Sequence, residues 1–526
     1  MNDRALRLRL VAPGILLSAA LLAGCRSEPA PVAAPTAPAA TAPAGDGIPW
    51  FPGTIEEAFA RAAAERKPLF LYWGAVWCPP CHALRQRVFP LPEVRARLAA
   101  AIPVYLDGDT ERAQVWGEKL GTSGYPTVIV FDPDGQEVTR LPSLLPVEDY
   151  ADLLAAALDA ARPLAERIAE AERVGPAGLP EAELELLAFH AWSQDANSGL
   201  DATRRLALFD RFRRETPPET PVVRSRFLAL WLAERSTAEP AQPLALEERV
   251  EALRELEALL ADPARRGVNF ELVVYYPGPV VRLLAPEAGV DRDRLIGAWT
   301  AAARELEANE SLGRIERLLA LRPQLRLASI DALDDAPPPA VLQARVRERV
   351  RDAAGAIRDT EEMQAAMNTM AGLLEEAGLP EEARVLIAEH LGETAAPYYY
   401  VGWLAGIEAE AGRNAEAVAL YRRAWQEARA AAGPASMSAF RWGSSYLRQR
   451  MKLAPDEAEA IETDGAALLA DLLAGPDAFS GGNRSRLEGV LAALDTWKAA
   501  DPESRQPVVD GLRERLSTAC AALPAD

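Results

Sequence analysis

The chain predicts an α/β sandwich followed by a long all-α region. Between about residues 50 and 162, short apolar runs alternate with amphipathic stretches in the order βαβ…ββα. Beyond Pro163 strand signals nearly vanish, and helical stretches alternate with short Gly/Pro breaks. At 526 residues the chain exceeds what one core can organise.

Composition narrows the function classes. The chain holds 57 Lys and Arg against 77 Asp and Glu, a formal charge of −20, with no basic patch. Nucleic-acid binding and adhesion to anionic lipid are therefore not expected. Only four cysteines occur, Cys25, Cys78, Cys81 and Cys520, too few for a disulfide framework.

Arg4, Arg7 and Arg9 precede an apolar run from Leu10 to Ala23, too short to span a bilayer and ending in small residues. It reads as a signal peptide over residues 1–24. Its end, Leu22-Ala-Gly-Cys25, resembles the lipobox of bacterial lipoproteins. That resemblance implies cleavage before Cys25, lipidation of its sulfur and a membrane anchor. Arg26, in place of an inner-membrane retention aspartate, points to an outer-membrane lipoprotein facing the periplasm. Residues 25–49, rich in Pro and Ala, read as an extended tether.

The α/β region, 50–162, opens with a helix from Ile55 to Glu65 that Thr54 is placed to cap. Leu69 to Tyr72 is the first core strand. Helices follow over Ala83–Phe89 and Pro92–Ala101, then a strand over Ile102–Leu106. A helix from Thr110 to Leu120 is expected to be capped by Asp109 or Thr110. Gly124 to Phe131 is a buried strand, Asp132-Pro-Asp-Gly135 a hairpin turn, and Gln136 to Leu141 the returning strand. A last helix spans about Pro146 to Ala161.

The chemistry sits between the first strand and the next helix, in Trp77-Cys-Pro-Pro-Cys-His82. A helix N-terminus presents free N–H groups and partial positive charge, which stabilise a thiolate and make Cys78 a usable nucleophile. Lys67-Pro68, Trp77-Cys-Pro-Pro-Cys81 and Tyr125-Pro126-Thr127 together resemble the thioredoxin fold, and most of all the thioredoxin-like domains of the DsbD C-terminal type. The resemblance implies a redox disulfide between Cys78 and Cys81. Cys78 is then the exposed attacking thiol and Cys81 the buried resolving one. It implies that Trp77 packs on the pair and that Pro126, in cis, shapes with Tyr125 and Thr127 a groove for the substrate chain. It also implies protein thiol or disulfide clients, an external electron donor or acceptor, and no cofactor.

Two departures bear on direction. The strand aspartate usual in thioredoxins is Tyr72 here, and the acid four residues after the second cysteine is Arg85. With His82 beside Cys81, the local balance is expected to be neutral to positive, which favours the thiolate and raises the reduction potential. The motif also matches a C-x-x-C-H haem attachment site, yet no methionine lies in this region to serve as distal ligand. A zinc site lacks two further ligands, so no metal is expected.

In the helical region, Glu376-Ala-Gly378-Leu-Pro-Glu-Glu382-Ala383 recurs as Glu410-Ala-Gly412-Arg-Asn-Ala-Glu416-Ala417, a shift of 34 residues. This resembles the tetratricopeptide period and implies an α-solenoid over 163–526, divided near 330–345, with a face for clients or partners. Its aromatic clusters, Tyr275-Tyr276 and Tyr398-Tyr-Tyr400, read as helix packing. His190, His390 and Cys520 read as structural. A scaffold that uses both regions only for docking is the competing class to an oxidoreductase.

Overall fold

The computed structural model describes residues 47–521 except 111, 161, 241 and 333–335. The expected signal peptide, Cys25 and most of the tether lie outside the described residues.

A four-stranded mixed sheet forms in the order β2-β1-β3-β4, from β1 (Leu69–Gly74), β2 (Ile102–Asp107), β3 (Thr127–Phe131) and β4 (Glu137–Leu141). β1 runs parallel to β2 and antiparallel to β3, and β4 returns antiparallel on β3. Every residue of β1 is buried, as a central strand covered on both faces requires; that is why it reads as an unbroken apolar run. The β3–β4 turn closes on Asp132, whose Oδ1 accepts from the backbone N–H of Asp134 and of Gln136, while Gly135 takes φ +80°.

Five helices accompany the sheet: α1 (Ile55–Glu65), α2 (Pro79–Arg87), α3 (Pro92–Leu98), α4 (Ala113–Lys119) and α5 (Val147–Asp159). α1 begins in a capping box, with Glu57 N–H donating to Thr54 Oγ1 and Thr54 N–H to Glu57 Oε2. The cap expected for α4 is not made. Its N-cap is Arg112, at φ +65° with no side-chain bond. Asp109 instead accepts from the N–H and hydroxyl of Ser438 at 2.6 and 2.7 Å.

All remaining regular structure is helical, from Leu164–Val174 to Pro502–Ala521, with Cys520 half-buried on the last helix. Gly378 and Gly412, the matched glycines of the 34-residue shift, both turn the chain out of a helix at φ +75° and +76°. Both lie in the left-handed region that glycine enters without steric cost.

Packing divides the described chain into two compact units that do not follow the sequence boundaries. One holds 47–107 and 121–395, hence the whole sheet and the helices up to His390. The other holds 108–120, with α4, and 396–521. Within that second unit, Gln114 N–H donates to Asp477 Oδ2 at 2.9 Å, and Gly481 N–H to Glu118 Oε2 at 3.0 Å. The expected division near 330–345 is not where the chain separates. The Ala340–Ala356 helix packs on helices from both sides of it, Leu321–Ala328 and Thr360–Glu376, inside the first unit.

Candidate functional site

Cys78 and Cys81 form a disulfide with Cα atoms 5.2 Å apart, at the junction of β1 and α2. Cys78 is the N-cap of α2, and the backbone N–H of Cys81 donates to Cys78 Sγ at 3.2 Å. Pro79 and Pro80 fill the first helical positions, where the missing N–H groups cost no intrahelical bond. The helix therefore directs one of its few available N–H donors at the sulfur that would carry negative charge on reduction.

The cis-proline loop lies alongside. The Tyr125–Pro126 peptide is cis, and the Tyr125 ring meets Trp77 edge-on at 5.5 Å and Trp73 at 4.6 Å. Thr127 Oγ1 donates to Gly124 O at 2.7 Å, which braces the loop as it enters β3. Tyr72, in place of the strand aspartate, is buried within an aromatic cluster. Its ring stacks on Tyr105 at 5.3 Å and meets Phe89 edge-on at 5.0 Å.

The expected exposure of Cys78 is not found: it is 2% exposed and Cys81 1%. The Thr360–Glu376 helix of the same unit packs along α2. Gln364, fully buried on that helix, donates from Nε2 to Trp77 O at 2.8 Å. Asp359, its N-cap, accepts from Gln86 Nε2 at 2.8 Å, and Glu361 lies 3.3 Å from Arg85. A second glutamine, Gln194, donates to Pro126 O at 3.1 Å. Backbone carbonyls on both sides of the site thus already accept glutamine amides from the helical region.

The expected positive balance around the pair is also corrected. His82 is buried; its Nε2 faces Val76 O, an acceptor only, and its Nδ1 lies 3.5 Å from Glu361 Oε2. Arg85 shares the same carboxylate. The Glu361 carboxyl sits below its ordinary range because His82 bonds to it and Arg85 adds positive charge, which together outweigh burial. An acid therefore does face the dithiol helix. It comes from a position 276 residues beyond Arg85, and no spacing in the motif could have signalled it.

Glu137, His190 and Asp195 also approach one another closely enough to offer ligand atoms to one ion. Their hydrogen bonds describe an ion-pair network instead. His190 Nδ1 accepts from Arg140 N–H at 3.1 Å, and its Nε2 meets Asp195 Oδ2 at 3.0 Å. The fully buried Arg140 guanidinium pairs with Glu137 at 2.8 Å and Asp195 at 3.1 Å. His190, read as structural, ties the 188–195 segment to β4. Among the described residues no helix is long and apolar enough to cross a membrane.

The family model of a thioredoxin-like domain matches residues 55–158. No curated protein matches the chain. Among the matching solved structures is one titled "DsbH Oxidoreductase". It is 17% identical, covers 25% of this chain and 94% of its own, and superposes with a TM-score of 0.20, too low to carry weight below. The family match and the sheet agree: the chain carries a thioredoxin-like domain followed by a long helical region.

Proposed function

We propose, from the premise that residues 55–158 are a thioredoxin-like domain, that this chain exchanges disulfides with protein clients through Cys78 and Cys81. The observation that carries the reading is the disulfide at the head of α2, with the Cys81 N–H aimed at Cys78 Sγ. In the reducing direction the Cys78 thiolate attacks one sulfur of a client disulfide and the other client sulfur leaves as a thiolate. Cys81, giving up its proton, then attacks Cys78 Sγ and releases the second client thiol. The client gains two electrons and the domain is left oxidised, so a dithiol donor must reset it. The oxidising direction runs the same steps backwards and needs a disulfide acceptor. Trp77, Tyr125, Pro126 and Thr127 form the groove in this scheme.

The lipobox-like Leu22-Ala-Gly-Cys25 supports a place for the protein in a bacterial envelope, lipid-anchored through Cys25 at the outer membrane and facing the periplasm, where disulfides persist. The helical region, with its 34-residue recurrence, serves in this reading to hold the client or a partner.

A second reading is favoured by one observation, the burial of Cys78. A site so covered suits a scaffold that uses the thioredoxin-like domain for docking. The two are separated by a Cys81→Ala variant of the full chain, which cannot resolve a mixed disulfide. Expressed in a bacterial envelope, it is expected to accumulate client proteins bonded through Cys78 and released by reductant. Absence of such adducts, with the variant folded and present, rejects the oxidoreductase reading.

A further inference from the structure

Within the thioredoxin-like domain, neither position at which the resemblance expects an acid near the dithiol carries one: Tyr72 and Arg85 stand there. The acid that faces α2 is instead Glu361, over His82 and over Arg85 in the last turn of the helix. One oxygen lies 3.3 Å from Arg85 and the other 3.5 Å from His82 Nδ1. Other charged groups nearby are engaged elsewhere. Asp359 caps its own helix and accepts from Gln86, Glu362 pairs with Arg314, and Arg87 pairs with Glu316. His82 stands one turn into the helix that Cys78 caps, and its backbone N–H donates to Cys78 O at 3.2 Å.

We infer that Glu361 is a positioning residue for the dithiol: acting through His82 and Arg85, it sets the charge along α2 and so the balance between disulfide and dithiol. The inference rests on the reading of Cys78 and Cys81 as an exchanging pair and adds what poises it. Two electrons from a reductant open the S–S bond. Cys81 takes up a proton from solvent, and Cys78 leaves as a thiolate to the extent that its surroundings favour negative charge. A carboxylate that neutralises Arg85 disfavours that thiolate and holds the pair toward the oxidised form. Removing it releases the Arg85 charge to favour the reduced form.

His82 shares the same carboxylate, so a single substitution at Glu361 alters two contacts at once. The test is therefore made in a His82→Gln background, with full-length chains equilibrated in glutathione buffers and the dithiol fraction trapped and weighed. Glu361→Gln in that background is expected to shift the equilibrium about tenfold toward the dithiol, or about 30 mV. The pH midpoint of Cys78 alkylation is expected to fall with it. Glu361→Asp should restore most of the original balance, and Arg85→Gln, independent of the histidine, should move it the other way. An unchanged equilibrium constant overturns the inference. So does faster alkylation at every pH with an unmoved midpoint, which is the mark of mere loosening. If these shifts occur but no client is trapped by Cys81→Ala, the proposed function fails while this inference stands. A pair that no reductant opens in the folded protein overturns both.

Discussion

Cys78 is buried and the Thr360–Glu376 helix packs on the helix it caps, so departure of that helix is a route to the thiol that Gln364 can test. Its Nε2 donates to Trp77 O at 2.8 Å from a fully buried position. Gln364→Met keeps an unbranched side chain of similar length and removes the carboxamide, and with it the donor to Trp77 O. The hydrogen bond itself is worth about 1 kcal/mol, and leaving a buried carbonyl unsatisfied raises the cost to about 1–3 kcal/mol. If that cost falls on the closed state alone, a loss of about 1.4 kcal/mol, toward the lower end of that range, raises the open population about tenfold. After reduction with dithiothreitol, Cys78 alkylation by monobromobimane tracks that population when reclosing outpaces labelling. The expected result is therefore about a tenfold faster rate at constant pH. A parallel urea titration measures global stability. A rate unchanged while global stability falls by a similar amount refutes the reasoning. The bond would then stabilise the unit as a whole, and departure of this helix would not be the route to the thiol.

Two further predictions concern what holds each unit together. Asp195 lies in the buried network with Arg140 and His190; burial alone would raise its pKa, but the bond to His190 and the charge of Arg140 lower it below the ordinary 3.8. A lowered folded-state value means that this contribution is complete above about pH 4 and is lost as pH falls through the folded value. Urea midpoints of the wild type should therefore drop below about pH 4, and Asp195→Asn should flatten that limb. At neutral pH the variant should cost about 3 kcal/mol, because Arg140 stays buried with one partner fewer. In the other unit, Asp109→Ala removes the acceptor for the N–H of Ser438, one of the unpaired donors at the start of the Met437–Leu453 helix. A loss of about 1–2 kcal/mol is expected, read as faster amide exchange confined to the first turn of that helix.

The sheet was legible because its signals are local. A doubly covered central strand must be continuously apolar, as Leu69 to Trp73 are, and a turn such as Asp132-Pro-Asp-Gly135 carries its own hydrogen-bonding residues. The cysteine pair was legible for the same reason, since two thiols three residues apart at a helix start are a local feature. Failures came where a local rule met a distant partner. Asp109 stands where a cap for α4 would stand, yet its carboxylate meets Ser438, 329 residues on, and α4 packs among the C-terminal helices. Cys78 occupies the exposed position of its motif, yet it is buried, and a helix almost three hundred residues later packs on the helix it caps. The same cause unsettles any direction of exchange read from the motif. Read in isolation, Trp77-Cys-Pro-Pro-Cys-His82 with Arg85 is a cationic dithiol head that favours the thiolate. Glu361 reverses part of that charge without altering a residue of the motif. The redox balance therefore belongs to the packed unit, and a domain cut at residue 162 would lack the carboxylate that faces its own active-site helix.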